Sequence, residues 1–263
     1  MMSAQTEAVL FKTDHLSKYF GGLKAVDQVS MEIRQGGLHS IIGPNGAGKT
    51  TFLNLLSGVY KPTSGQIFYR GEEITRLPAH QRAHLGIARS YQITNIFPTL
   101  TVLENVRLAA QALGKHNFRM LVSYHAFPEY IEKAVLALKE VGLEGQEHLY
   151  AAALSHGNKR RLEVAMLLVQ DPEILLLDEP TAGLGTDQVP EFMEMIQRIG
   201  EQGSKTIVLV EHNMSVVMNL STRISVMHYG ALLAEGTPAE ITSNETVQSA
   251  YLGGLYSDLI RGD

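Results

Sequence analysis

The apolar positions along the chain fall into two rhythms. ILLL (174–177) in EILLLDEP and TIVLV (206–210) in KTIVLVEH are apolar without alternation, as strands buried on both faces of a parallel sheet are. The N-terminal part reads as strands joined by turns: AVLFKTDHLSKYF, the pair Gly21-Gly22, VSMEI, the turn at Gly36-Gly37, then LHSIIG. That last run leads into a helix, TTFLNLLSGV, and SGQIFYRGEEI reads as a further strand and turn. From about Ile96 the period changes. TVLENVRLAAQAL sets Val102, Val106, Ala109 and Leu113 at helical spacing, and EYIEKAVLALKEVGL does the same with Ile131, Val135, Leu138 and Val141. No strand-like run interrupts this stretch. After Leu162 strands alternate with helices again, ending in RISVMHYGALLAEG. The pattern predicts an α/β core over 1–95 and 160–240, a helical lobe inserted over 96–159, and a short tail over 241–263, as one domain with two lobes.

Composition narrows this little. The 263 residues are 44% hydrophobic and 19% charged, an ordinary globular balance. A net charge of -5 and a pI near 6.1 argue against broad nucleic-acid binding. With no cysteine, disulfide and thiolate chemistry are excluded, and a zinc site would need histidines and carboxylates alone. MMSAQTEAVLFK has no cationic segment followed by an apolar one, and no apolar run reaches 18 residues. The expectation is a soluble cytoplasmic chain that meets a membrane only through a partner.

The chemistry begins at GPNGAGKTT, Gly43 to Thr51. Gly43, Gly46 and Gly48 let the backbone wrap a phosphate chain with its N–H groups pointing inward. The following helix aims its positive end at the same place. Lys49 reaches the β- and γ-phosphates and the Thr50 hydroxyl can ligate Mg²⁺. Its partner is an apolar strand ending in acids, ILLLDEP: Asp178 to hold Mg²⁺ and Glu179 to polarise an attacking water as general base.

Six elements in order resemble the ATP-binding subunits of ABC transporters: Phe20 before a glycine pair, the cradle, Gln92 in RSYQ, LSHGN at Leu154–Asn158, ILLLDEP, and His212 in LVEH. The resemblance covers nearly the whole chain. It implies a P-loop NTPase (ABC ATPase) core with an antiparallel β subdomain and an inserted helical subdomain, using ATP and Mg²⁺. It implies that two ATPase subunits, identical or paralogous, pack head to tail. Ser155 and the N–H of Gly157 then grip the γ-phosphate in the partner's cradle, which is contacted on its own side by Gly43, Asn45, Gly46, Ala47, Gly48, Lys49, Thr50 and Thr51. It further implies that Phe20 stacks on adenine, with Tyr19 as its competitor, that Gln92 touches Mg²⁺ or the lytic water, and that His212 hydrogen-bonds the γ-phosphate. Two departures stand out. The family's LSGGQ reads LSHGN, changing residues 156 and 158, and Gly185 in AGLG stands where an aspartate is usual. Lys159, Arg160 and Arg161 oppose the dipole of the helix they start. They read either as a solvated face or as positive potential near the partner's phosphates.

FGGLKAVDQVS, RRLEVAMLLVQDPEILLLDEPTAGL and the ending GTPAEI…AYLG resemble one group, the ATPases of branched-chain amino acid importers and their relatives for urea, short amides and aromatic acids. That resemblance implies integral-membrane permease partners, a solute-binding protein beyond them, and a peripheral place on the cytoplasmic face of the membrane. The ATPase of lipopolysaccharide export is a close neighbour in sequence. IFPTLTVLENV, with Phe97 and Leu100, is the expected docking surface for a permease helix. Chromosome and DNA-repair ATPases, which share cradle and signature, carry a long coiled coil that has no counterpart here. Translation-factor ATPases usually carry two ATP domains against the one in this chain. The terminal Arg261-Gly262-Asp263 is too short to support a receptor-ligand reading.

Overall fold

The computed structural model describes residues 8–90, 96–114, 127–202 and 205–249. The chain runs β1 (Val9–Phe20), β2 (Leu23–Arg34), β3 (Leu38–Ile42), α1 (Lys49–Leu56), β4 (Ser64–Tyr69), β5 (Glu72–Glu73), α2 (Ala79–His84), β6 (Ile87–Arg89), α3 (Val102–Ala112) and α4 (Pro128–Glu140). It continues α5 (His156–Leu168), β7 (Ile174–Asp178), α6 (Val189–Gln202), β8 (Thr206–Val210), α7 (Met214–Leu220), β9 (Arg223–His228), β10 (Ala231–Gly236), α8 (Pro238–Ser243) and α9 (Glu245–Val247).

Two sheets form. One is antiparallel, in the order β2-β1-β4-β5; the other runs β10-β9-β3-β8-β7-β6, parallel except for the terminal β9–β10 hairpin. The unalternating runs are the central strands of the second sheet. On β7, Leu175 and Leu177 face one apolar cluster while Ile174 and Leu176 face another. On β8, Ile207 and Leu209 part from Val208 and Val210 in the same way. The first cluster also takes in the helices of the middle segment, and the second takes in β1, β2 and α1. Each face of one sheet is thus covered by a different part of the chain.

The middle segment is helical as its period predicts, with Val102 and Val106 buried on α3. Thr101 caps that helix, its hydroxyl accepting from Glu104 N at 3.2 Å. The face expected for α4 needs correction. Leu138 and Val141 are buried, but their companions are Tyr130, Ala134 and Ala137; Ile131 is only half-buried, and Val135 and Leu136 are exposed, Leu136 at 67%. IEKAVLAL satisfies helical spacing on two stripes, and the one bearing alanines allows closer approach to neighbouring helices. The three-residue strand β6 was not read from sequence at all, being too short for a period.

Candidate active site

The cradle is built by β3 running into α1 across Gly43–Gly48. Gly43 has φ 153°, and a Cβ there would collide with the carbonyl oxygen of Met227 at the end of β9. Gly48 has φ 97°, and a Cβ would strike the carbonyl of Ala25 on β2. Side chains are barred at both because the loop is pressed between two strands. Gly230 N donates to Ala47 O at 3.1 Å and bolts the β9–β10 turn to the loop. Asn45 and Gly46 are exposed, Ala47 is buried, and Thr51 is half-buried in the first turn of α1. The buried guanidinium of Arg82 donates to Leu55 O and Leu56 O, both at 2.7 Å, and so fixes the far end of α1.

Lys49 is buried, and its Nζ donates to Gly43 O at 2.7 Å and Pro44 O at 3.0 Å. Burial lowers its pKa, while the charges of Glu179 and Asp178 act to raise it. Thr50 Oγ1 donates to Asp178 Oδ1 at 3.2 Å, so the cradle and the end of β7 meet through the two residues expected to hold Mg²⁺. They are hard oxygen donors side by side, and Mg²⁺ characteristically takes one or two carboxylates with waters and substrate phosphates. The pair fits that ion. Burial raises the Asp178 pKa, and Arg89 and Thr50 oppose the rise.

Glu179 follows in a left-handed conformation, φ 47°, its N–H bonded to Val210 O at 2.8 Å. That bond sets it beside the end of β8, from which His212 projects with its side chain exposed. Lys49, Thr50, Asp178, Glu179 and His212 thus come from three adjacent strand ends. Gln92 lies outside the described residues. Phe20 sits where the β1–β2 hairpin turns, 44% exposed and edge-on to Tyr60 with ring centroids 5.5 Å apart. Tyr19, its competitor, is tied through its hydroxyl to Asp27 at 2.5 Å.

Ser155 and Gly157 are elsewhere. Ser155 caps α5, accepting from Asn158 N at 3.2 Å. With Gly157, Asn158, Arg161, Gln188 and Glu191 it lines a hollow to which, among the described residues, no cradle residue contributes. The Asn158 side-chain amide donates to Gln146 Oε1 at 3.1 Å, and His156 lies against Gly183. The solvated-face reading of the cations at this helix start needs correction for two of them. Arg160 is buried against Glu163 at 2.9 Å, and Arg161 bonds Val141 O at 2.9 Å and Glu191 at 2.8 Å. Neither forms a solvated face, and both are committed to carbonyls and carboxylates of their own chain.

Three residues passed over in sequence belong here. Glu211, fully buried, accepts from Thr181 N and His212 N, each at 3.1 Å, and from the Thr181 hydroxyl. An acid closing an apolar strand was its only signal. Tyr60 was hidden in a turn, and Arg89 in a strand too short to notice.

Residues 26–182 match the family model of the ABC transporter ATP-binding domain. The chain belongs to the ABC transporter ATP-binding family. A second model, the branched-chain amino acid ATP-binding cassette transporter, matches residues 231–256 of this ABC ATPase. It is 43% identical over 249 residues to the high-affinity branched-chain amino acid transport ATP-binding protein LivG of Salmonella typhimurium, covering 93% of this chain and 98% of that one. It is 39% identical, over the same shares, to BraF of Pseudomonas aeruginosa, which carries the same description. Among solved structures, the ADP conformation of an ATP-binding cassette of an ABC transporter superposes with TM-score 0.82 at 28% identity, covering 93% of this chain and 99% of that one. A dimeric cassette in a post-hydrolysis state with ADP and Pi gives TM-score 0.74 at 28% identity, covering 87% and 99%. The ABC ATPase fold and ATP hydrolysis follow from this membership.

Proposed function

We propose that this ATPase powers an importer for branched-chain amino acids or related small amides and acids. It would lie on the cytoplasmic face of the membrane, bound to permease subunits that a solute-binding protein serves. The observation that carries the chemistry is the 3.2 Å contact of Thr50 with Asp178 beside the buried Lys49, one residue ahead of Glu179. The cargo rests on the description shared by LivG and BraF.

In this reading the cradle's N–H groups and Lys49 bind the β- and γ-phosphates, and Phe20 takes the adenine face. Thr50, Asp178 and Gln92 hold Mg²⁺, which when bound screens the charge of the phosphates. Glu179 accepts a proton from the attacking water, and His212 donates a hydrogen bond to the γ-phosphate. Ser155 and Gly157 serve the ATP of a second subunit packed head to tail. The separate hollow at Ser155, to which no described residue of its own cradle contributes, favours that arrangement. The core of 1–95 and 160–240 carries the nucleotide, and the lobe of 96–159 transmits closure to the permease. The solution mass of Glu179→Gln with ATP and Mg²⁺ tests the pairing. Losing the general base slows turnover by about 10²–10⁴-fold, so a dimer should accumulate and vanish with ADP. A persistent monomer with ATP bound would point instead to a paralogous partner ATPase, or to a permease needed to align the two subunits.

A further inference from the structure

Arg89 closes β6, and the reading above gives it no role. Its Nη2 lies 3.2 Å from Asp178 Oδ2, with side-chain exposures of 5% and 1%. Its Nη1 donates to Ser57 Oγ at 3.0 Å, at the end of α1. The other Asp178 oxygen, Oδ1, accepts from Thr50, and the Asp178 N–H donates to Ser90 Oγ at 3.1 Å. The carboxylate is therefore divided: one oxygen faces the cradle hydroxyl, the other faces a fixed cation.

A buried ion pair is a poor brace, since the cost of desolvating both charges rivals their attraction. It does hold a charge in place. A carboxylate already neutralised by a guanidinium attracts a divalent cation less than a bare one, because the arriving cation meets like charge a few ångströms away. We propose that Arg89 is a positioning residue of the metal site: it aims Asp178 Oδ1 at Thr50 and, as a tethered counter-charge, weakens the hold on the divalent cation. The inference rests on the reading of Thr50 and Asp178 as metal ligands. Its consequence is a site that grips the cation chiefly through the nucleotide's phosphates and lets it go with them.

The test is direct binding of Mn²⁺, read by electron paramagnetic resonance, to the full chain with the non-hydrolysable analogue AMPPNP. Arg89→Gln should hold Mn²⁺ about tenfold more tightly, the low end of the one to three decades by which one neighbouring charge alters a group's proton affinity. Arg89→Lys, which keeps the charge, should stay near the parent. AMPPNP affinity in EDTA should be the same for all three. Unchanged or weaker Mn²⁺ binding in Arg89→Gln overturns the proposal. If that variant fails to fold, the unaltered protein decides: the Arg89 guanidinium ¹⁵N resonances, identified by their loss in Arg89→Lys, should shift when Mg²⁺ joins AMPPNP, and fixed resonances overturn it. Mn²⁺ binding that survives Asp178→Asn unchanged would instead sink the assignment of the ligands.

Discussion

Glu211 gathers the Thr181 hydroxyl and three backbone N–H groups, those of Thr181, His212 and Asn213, onto one buried carboxylate. It ties the loop after Glu179 to the segment that carries His212. Glu211→Ala would leave those donors unpaired, at about 1–3 kcal/mol for each one that finds no water. A lower denaturant midpoint together with slower ATP turnover is the expected result, and turnover at the parent rate would show that the tie does not matter. His39 makes a second residue-scale prediction. It is buried on β3 with Nε2 2.8 Å from Ser225 Oγ, and burial, then Arg223, push its pKa from 6.5 to about 4. The fold refuses a proton that the unfolded chain accepts, so His39 costs nothing above pH 6.5 and weakens the protein as pH falls from there towards 4. Two pH units cost on the order of 3 kcal/mol. Unfolding at pH 7 and 4.5 should show a smaller loss in His39→Gln than in the parent; equal losses would mean that the ring is protonated within the fold.

At the scale of elements, the cradle is shaped as much by what lies behind it as by its own glycines. Gly43→Ala would drive a methyl group into the Met227 carbonyl. Displacing the loop should weaken ATP binding by about tenfold or more, given the 1–3 kcal/mol that a forced backbone conformation typically costs. Fluorescent-nucleotide titration measures it, and parent-like affinity would mean that β9 gives way. The turn before α3 has a different design. Asn105, fully buried, accepts from Phe97 N at 2.7 Å and donates to Phe97 O at 3.0 Å and Thr101 O at 2.9 Å. The backbone is clamped while the Phe97 ring stands 52% exposed. Phe97→Ala should abolish cargo uptake in cells with the permeases present and leave the isolated subunit's ATP binding intact. Undiminished uptake would remove this segment from the coupling surface.

For the whole molecule, the parallel sheet is the common wall between two cores. The middle helices press on one face, and β1, β2 and α1 cover the other. Lys49, Thr50, Asp178 and Glu179 gather at the C-terminal ends of its strands, and Ser155 and Gly157 open into a hollow that they do not line. In the proposed reading, each of these places is one half of a site that a second subunit completes. The dimer of Glu179→Gln with ATP tests at this scale whether an identical chain completes them. Among the described residues no helix is long and apolar enough to cross a membrane.

GPNGAGKT and ILLLDEP were legible by themselves because each is a continuous stretch whose local geometry carries its chemistry: a glycine loop running into a helix, and an apolar strand ending in acids. The unalternating runs likewise announced strands with two buried faces. The stripe that α4 buries, the partners of Arg161, the Glu211 tie and the Arg89 counter-charge were decided only by the fold. Each depends on residues far apart in the chain: Arg89 meets Asp178 across 89 positions, and Thr181 meets Glu211 across 30. Periodicity shows that a face is apolar, but which neighbour covers it, and which buried charge finds which counter-charge, is settled when the strands assemble side by side.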